Sequence, residues 1–224
     1  VSFSASSPGH RLFGALSYRA EYFGFGATTL SLFTEGRTGG NASYTFSGDL
    51  NGDGGTSNDL VYIPADVSEM NFQEYTSGGQ TYTAAEQAAA WESFINSSDY
   101  LSENRGSYAE RNAAFLPMQF NTDLSVAQEI FTDLGGRRNT LQVRADILNF
   151  LNFLNEDWGV GDRFTTTQPL IVPSSSQGGS ADAQGRAHYR MRTQGGELFT
   201  EALEKSATLG DVYRIQLSLR YTFN

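Results

Sequence analysis

The sequence predicts an all-β protein, and more narrowly a segment of a transmembrane antiparallel β-barrel with two long extracellular loops. Three observations support this prediction. Apolar and polar residues alternate along several segments, short turns are interspersed with long connections, and aromatic residues mark the ends of the clearest segment. The 224-residue chain is 39% hydrophobic and 13% aromatic and has 24 glycines, which suits many strands joined by turns rather than a disordered tail.

The clearest alternation lies at the end of the chain, where residues 212–224 predict a strand. Six apolar side chains fall on one face at strict period two, and polar side chains fall on the other. Tyr213 stands at one end of the apolar face, and Tyr221 and Phe223 stand at the other. Aromatic residues at both ends of an aliphatic stretch are typical of a strand that spans an outer membrane.

Further segments show weaker forms of the same alternation. Each has the roughly ten residues that a tilted strand needs to cross a bilayer. The segment at 26–37 is apolar on both faces, so its orientation stays open. The five predicted strands lie near residues 10–22, 26–37, 117–131, 138–150 and 212–224.

The connections between these strands differ greatly in length. Two are turns of a few residues, whereas residues 38–116 and 151–211 form long loops. This asymmetry is typical of bacterial outer-membrane barrels, so we expect the long loops outside the cell and the C-terminus in the periplasm. Five strands cannot close a barrel, and an open edge in hydrocarbon leaves backbone groups unpaired. The chain is therefore expected to be a fragment that pairs with further strands.

The polar faces of these strands are expected to line a wet barrel interior. Two arginines share the polar face of the last strand, which suits such an interior better than it suits lipid. The residues predicted to line the lumen are Asn121, Asp123, Arg144, Asp146, Arg214 and Arg220.

Most of the net charge of −10 lies in the first long loop. Between Asn41 and Asn112 there are eleven acidic and two basic residues, which argues against nucleic acid as a partner. Within this loop, Asp49, Asn51 and Asp53 match the opening of a calcium-binding loop, with Asp59 as a substitute for the usual glutamate. A structural calcium ion is one interpretation, and an Asx-rich turn without metal is the other. No further cofactor is expected.

A helix is predicted near 84–96 in the same loop. Thr83 stands three residues before Glu86, which is the pattern of a capping box. We expect Trp91 and Phe94 to pack this helix against the barrel rim.

The sequence lacks the motifs of an enzyme and the apolar run of a transmembrane helix. There is no cysteine, there are two histidines, and neither a nucleophile elbow nor a phosphate-binding glycine loop occurs, so an enzyme is not expected. No apolar run reaches the roughly 18 residues of a transmembrane helix.

Several motifs resemble a known family when they are taken in order. The chain contains the segments DLNGDGGTSNDLVYIP, DYLSENRGSYAERNAAF, ADILNFLNFLNEDWG and, at its end, RIQLSLRYTFN. These segments look like the C-terminal part of Oar-like TonB-dependent receptors, outer-membrane transporters that are more distantly related to SusC-type importers. The resemblance covers nearly the whole chain.

The resemblance implies a plugged barrel of about 22 strands, of which this chain holds the last five. It implies uptake of a bulky nutrient or metal chelate, although some members are linked to export. The implied partners are the rest of the barrel and its plug, the TonB complex, outer-membrane lipid and lipopolysaccharide, and a surface lipoprotein. Tyr221 and Phe223 resemble the signal that the barrel-assembly machinery recognises. A structural or adhesive surface barrel and a passive porin are the alternatives.

Overall fold

The computed structural model of the chain describes residues 2–173 and 179–223. Strands make up 47% of it and helices are few, so the all-β prediction is confirmed. The described strands form open sheets and no closed barrel. Residue 224 of the last predicted strand and residues 174–178 of the second predicted loop lie outside the described residues.

Two compact units make up the chain, and each combines three chain segments. The first, which we call the sheet unit, comprises Pro8–Gly39, Pro117–Asp162 and Lys205–Asn224. The second, which we call the loop unit, comprises Val1–Ser7, Gly40–Leu116 and Arg163–Glu204.

Five long strands form the sheet unit, and their ends lie within a few residues of the predicted ones. Each strand pairs antiparallel with the next along the chain, so the order in the sheet is the order in the sequence. The strands are β1 Arg11–Tyr22, β2 Gly26–Thr38, β3 Met118–Leu134, β4 Arg137–Leu148 and β5 Arg214–Phe223.

The register fixes which side chains share a face, because directly opposed residues of antiparallel strands point to the same side. Leu16 opposes Leu32, which opposes Leu124, and the row continues through Ile147 to Ile215. One apolar row therefore crosses all five strands. The row also assigns Leu32 of β2 to the apolar face, and so gives the orientation of a strand whose sequence is apolar on both faces.

A two-residue turn of glycines joins β3 to β4. Gly135 and Gly136 have φ values of 61° and 77°, in the left-handed region that side chains rarely adopt. Two positive φ angles in succession match a type I′ hairpin, whose twist fits that of the flanking strands.

The remaining strands have two to four residues each. They lie at Asn41–Ala42, Tyr62–Ile63, Asn71–Phe72, Tyr75–Ser77, Gln80–Tyr82, Ser107–Tyr108, Ala114–Phe115, Asp162–Phe164, Leu170–Ile171, His188–Met191, Thr193–Gln194, Glu197–Leu198 and Leu203–Lys205.

Three α-helices are present in the described part of the chain: α1 Ala84–Asn96, α2 Asp99–Glu103 and α3 Phe150–Leu154, besides a 3-10 turn at Val67–Glu69. None of these helices has the length and apolar composition needed to cross a membrane. The predicted capping box of α1 is confirmed, since Thr83 accepts from the Glu86 N–H while the Glu86 carboxylate accepts from the Thr83 N–H at 2.8 Å.

The loop unit has a hydrophobic core to which both long connections contribute. Trp91 and Phe94 of α1 are fully buried, and their rings stack with centroids 5.5 Å apart. Leu170 and Met191 join the same cluster from the second connection. The predicted packing of Trp91 and Phe94 against a barrel rim is therefore wrong, because these rings fill the core of the loop unit itself.

A buried amide ties the two connections together inside this core. Gln87 is fully buried, and its Nε2 donates to the carbonyls of Gln73, Tyr82 and Thr83 at 2.9 to 3.2 Å. Its Oε1 accepts from the N–H of Met191 at 3.0 Å. Every polar group of the amide is thus engaged, which burial away from water requires.

Candidate functional site: two faces of one sheet

The polar face of the sheet unit holds most of the residues predicted to line a lumen. On β4, Arg144 donates to Asp146 through Nε at 2.8 Å and through Nη2 at 2.7 Å. Across the sheet, Ser125 and Gln216 oppose Asp146 on the two neighbouring strands. These two residues, each predicted to line the lumen, therefore form an ion pair in the middle of a polar row.

A concave cavity of about 410 Å³ lies on this face. Asp123, Arg144 and Asp146 line it, so three of the predicted residues come together here. Hydroxyl groups add to its polarity, and the Oγ atoms of Ser17 and Ser31 lie 2.8 Å apart. Apolar residues, among them Phe33 and Leu148, also line the cavity, so it combines charges of both signs and hydroxyl groups with apolar surface.

The other predicted residues have different surroundings. Asn121 Nδ2 donates to the carbonyl of Gly159 at 3.4 Å, so it contacts the segment that follows β4. Arg214 and Arg220 lie on β5, at the free edge of the sheet, where they oppose Leu148 and Gln142. The structure does not bring these two arginines into the cavity.

An ion pair that joins β1 to β3 across β2 was not predicted from the sequence. Arg19 on β1 donates to Glu129 on β3 at 2.6 Å, and Glu129 accepts from Gln142 on β4 at 2.8 Å. On β2, which lies between these two strands, Thr29 opposes Arg19 and the fully buried Ala27 opposes Glu129. The two charged residues are 110 positions apart in the sequence, so the pair can be recognised only once the register is known.

A buried carboxylate organises the backbone where β5 begins. Asp211 is 6% exposed and accepts from the N–H groups of Gly161 at 3.0 Å and Thr208 at 2.8 Å. It also accepts from the Thr208 hydroxyl at 2.6 Å. Burial raises the pKa of this carboxyl, but these hydrogen bonds outweigh burial and hold the pKa well below its usual range.

Asn149, next to this carboxylate, ends β4 in a left-handed conformation, with φ of 51°. Its Nδ2 donates to the carbonyls of Gly159 and Asp211 at 3.0 Å, and its N–H donates to Asp123 Oδ1 at 2.8 Å. A Cβ at Gly159 would clash with the Asn149 amide oxygen, and the φ of Gly159 is 68°, a conformation that favours glycine.

The opposite face of the sheet is apolar and exposed. Leu217 and Phe223 of β5 are 74% and 72% exposed, and Leu16 on β1 is exposed as well. Side chains of this kind normally supply a protein core, because burying one contributes about 1.5–3 kcal/mol. An apolar surface of this extent indicates a partner surface or a lipid environment.

The two residues of the predicted assembly signal lie on this apolar face. The rings of Tyr221 and Phe223 are 6.1 Å apart. The Tyr221 hydroxyl donates to Asn139 Oδ1 on β4 at 2.6 Å. The ring of Tyr221 therefore lies on the apolar side while its hydroxyl has a polar partner.

The predicted calcium loop uses its carboxylates as turn acceptors. Asp49 accepts from the N–H groups of Gly52 at 2.7 Å and Gly54 at 3.0 Å, and buried Asp59 accepts from Leu50 at 2.6 Å. These bonds are those of an Asx-rich turn.

Asp53 makes similar bonds within the turn. The Gly55 N–H and the side chains of Asn51 and Asn58 hold the Asp53 pKa below its usual value. Asn51, Asp53 and Asp59 also line a cavity of about 570 Å³ that Arg111 shares, and a guanidinium there opposes a cation. Within the described residues, no group of three or more His, Cys, Asp or Glu side chains is placed to hold a metal, and calcium binding stays a prediction.

Comparisons with known proteins provide no relative from which a function could be transferred. The assignment of function therefore depends on the two faces of the sheet and on the motifs of the sequence. No family model, no curated protein and no solved structure matches the chain.

Proposed function

We propose that the sheet unit spans a bacterial outer membrane as part of the wall of a large β-barrel. The observation that carries this proposal is the exposed apolar face, which continues in register across five strands. In water such a face is unfavourable, whereas in a bilayer it meets acyl chains. The other face, with its ion pairs and hydroxyls, then faces a wet lumen.

The length of the stretch from Tyr213 to the end of β5 supports the proposal. Tyr213 and Phe223 are ten residues apart, about 34 Å along a strand at about 3.4 Å per residue. At the tilt of about 45° that is typical of membrane strands, this length spans roughly 24 Å of bilayer. The apolar band of an outer-membrane barrel is about 25 Å tall and is flanked by aromatic rings, as this stretch is.

The free edges of the sheet support a larger barrel. Within the described residues, β1 and β5 each pair on one side only, and unpaired backbone groups in hydrocarbon cost several kcal/mol each. Strands outside this chain would complete the wall. The barrel of about 22 strands comes from the family resemblance alone.

The proposed activity of the whole protein is TonB-dependent uptake of a bulky nutrient or metal chelate. Its support is the ordered set of motifs that resemble Oar-like receptors. In this proposal the loop unit lies outside the cell and the C-terminus in the periplasm. The plug and the TonB complex are partners of the whole protein, and the barrel-assembly machinery recognises the Tyr221–Phe223 end of β5.

A surface adhesion protein with a barrel anchor is the second candidate. The observation that favours it is the core of the loop unit, because a folded external unit can present a binding surface independently of transport. Acidic residues dominate the first connection, so a cationic partner would fit this alternative.

The membrane assignment can be tested by depth-dependent fluorescence quenching. Both test variants are made in the Trp158→Phe background, in which the fully buried Trp91 supplies a constant emission to subtract. Leu217→Trp places an indole on the apolar face, and Gln216→Trp places one on the polar face as a matched control. In vesicles of brominated phosphatidylcholine, we expect the emission of Leu217→Trp to be quenched and that of Gln216→Trp to be retained. Equal quenching of the two variants, or none in either, would exclude the proposed orientation.

Transport requires a separate test on the full-length gene product. Cross-linking in energised cells should yield an adduct with TonB if the protein is a TonB-dependent transporter. Correct insertion without any such adduct would favour the adhesive alternative.

A further inference from the structure

The loop unit leaves one tyrosine ring exposed at the wall of a cavity. The side chain of Tyr108 is 65% exposed, and Phe3 is the only other large apolar side chain that is exposed among the described residues of this unit. Tyr108 lines the cavity of about 570 Å³ that it shares with Arg111 and the predicted calcium loop. All residues that line this cavity belong to the loop unit, and its volume is that of a small-molecule site.

The position of the Tyr108 ring is fixed by its neighbours. Ser107–Tyr108 pairs antiparallel with Tyr62–Ile63, and the rings of Tyr62 and Tyr108 have centroids 5.3 Å apart. The N–H of Ala109 donates to the Val61 carbonyl at 2.8 Å. A ring that is held in place loses little conformational freedom when a ligand packs against it.

The amides on another wall of the cavity are held by a carboxylate. Asp53 Oδ2 accepts from Asn51 Nδ2 at 3.2 Å and from Asn58 Nδ2 at 2.9 Å. An amide nitrogen carries two hydrogens, so each of these side chains keeps one donor for a ligand. The polar groups of this wall are therefore oriented before any ligand binds.

Arg111 adds a guanidinium that is not neutralised by a neighbour. In the part of the chain that the structure describes, Arg111 forms no ion pair, whereas Arg105 pairs with Glu92 at 2.6 Å. Arg111 Nη2 donates to the Asn58 carbonyl at 3.3 Å, and its side chain is exposed. Most of its five N–H donors are thus free to bind a ligand.

The mixture of charges in the cavity restricts the ligand to a class. An anion would meet the carboxylates of Asp53 and Asp59, and a cation would meet the guanidinium of Arg111. A neutral ligand with many hydroxyl groups avoids both conflicts, because a hydroxyl donates to a carboxylate and accepts from a guanidinium or an amide. A sugar ring also has an apolar C–H face, which can pack against a tyrosine ring.

We propose that this cavity binds a neutral saccharide, with the sugar ring against Tyr108 and its hydroxyls hydrogen-bonded to Asp53, Arg111 and the two amides. The inference is independent of the membrane assignment, because the site lies within the loop unit. A free oligosaccharide and a surface polysaccharide share this chemistry.

Saturation-transfer NMR on the full chain in phosphatidylcholine vesicles provides the test, since vesicles avoid detergents with sugar headgroups. The neutral probes are hexasaccharides of glucose, mannose and galactose, and a hexasaccharide of galacturonic acid is the charged probe. The polysaccharide released from lipopolysaccharide is a further probe, which distinguishes a surface polysaccharide from a free oligosaccharide. Each titration would be repeated in EDTA, which removes calcium.

We expect at least one neutral probe to bind, in EDTA as well as in calcium. Tyr108→Ala should weaken this binding by about tenfold, because it removes the ring, and Tyr108→Phe should retain it. Phe3→Ala, which removes an exposed ring outside the cavity, is the matched control and should bind like wild type. Unchanged emission of the buried Trp91 would show that each variant keeps the core of the loop unit.

Four outcomes would overturn the proposal. They are no binding of any neutral probe, preference for the galacturonate probe, loss of binding in EDTA, and equal weakening by Tyr108→Ala and Phe3→Ala. None of them affects the membrane assignment, which the bromine quenching experiment tests separately.

Discussion

The loop unit and the sheet unit use apolar residues in opposite ways. In the loop unit, Trp91 and Leu101 are fully buried, and the core draws on segments far apart in sequence. In the sheet unit, Leu217 and Phe223 point outward and the opposite face carries the charges. Under the proposed membrane-spanning function, the loop unit is organised like a protein in water and the sheet unit like a protein in lipid. One chain would then be built for two solvents.

The largest expected effect is a difference in stability when the same substitution, leucine to alanine, is made in each of the two units. Leu101→Ala removes a fully buried side chain and should cost about 2–5 kcal/mol of the free energy of unfolding of the loop unit. Leu217→Ala, at a site 74% exposed, should cost less than about 1 kcal/mol in a bilayer, because a lipid-facing leucine contributes only about 0.5 kcal/mol. Urea unfolding in vesicles, followed by Trp91 emission and by circular dichroism, would measure both. Equal losses of unfolding free energy in the two variants would contradict the proposed difference between the units.

A charge introduced on the apolar face of the sheet should lower the stability nearly as much as Leu101→Ala does. Leu217→Arg, near the middle of β5, is expected to cost about 2–4 kcal/mol in a bilayer, because the guanidinium meets acyl chains. The neighbouring Gln216→Arg lies on the polar face opposite Asp146 and should be tolerated. The yield of folded protein in vesicles distinguishes them. Comparable losses in both variants would contradict the assignment of faces.

The Asp211 carboxylate should make the sheet unit sensitive to acid. Its folded pKa lies below the unfolded value of about 3.9, so its stabilisation is complete above that pH and is lost as the pH falls through the folded pKa. Asp211→Asn should therefore cost about 1–3 kcal/mol at neutral pH. The stability difference from wild type should shrink below about pH 4. A difference that does not vary with pH would argue that the carboxylate charge is irrelevant.

The smallest effect is expected from the ion pair on the polar face. Arg144 and Asp146 are partly exposed, so Asp146→Asn should cost only about 0.2–1 kcal/mol. A double-mutant cycle with Arg144→Gln, at low and high salt, would isolate the coupling. Salt should weaken it if the face is wet. A coupling of several kcal/mol that salt does not change would indicate that this face is buried instead.

The sheet could be predicted from the sequence because its signal is local. Strict alternation in residues 212–224 defines a strand and its two faces without reference to any partner. The same logic failed for β2, which is apolar on both faces, and only its pairing with β1 and β3 assigned Leu32 to the apolar side. Alternation likewise placed Arg144 and Asp146 on one face, but not in contact with each other.

The loop unit could not be predicted in the same way because its interactions are non-local. Gln87 is recognisable as a buried hub only when Met191, over a hundred residues later, is placed beside it. The same holds for a site in the sheet unit, where Asp211 looks like any loop carboxylate until Gly161 and Thr208 surround it. The calcium motif was difficult for a different reason, because its spacing is local but ambiguous. The same spacing also occurs in an Asx turn, as the hydrogen bonds of Asp49 show.

The hydrogen bond between Gln87 and Met191 also has a consequence for how the chain acquires its structure. The two connections that share the core are separated in sequence by β3 and β4, so the core cannot be completed before both strands have been synthesised. Closing so long a loop carries an entropic cost, and contacts between distant residues slow folding. The residues of α1 therefore stay without their full set of partners while the hairpin is made. A slow final phase, reported by burial of Trp91, would be the kinetic signature of this connectivity.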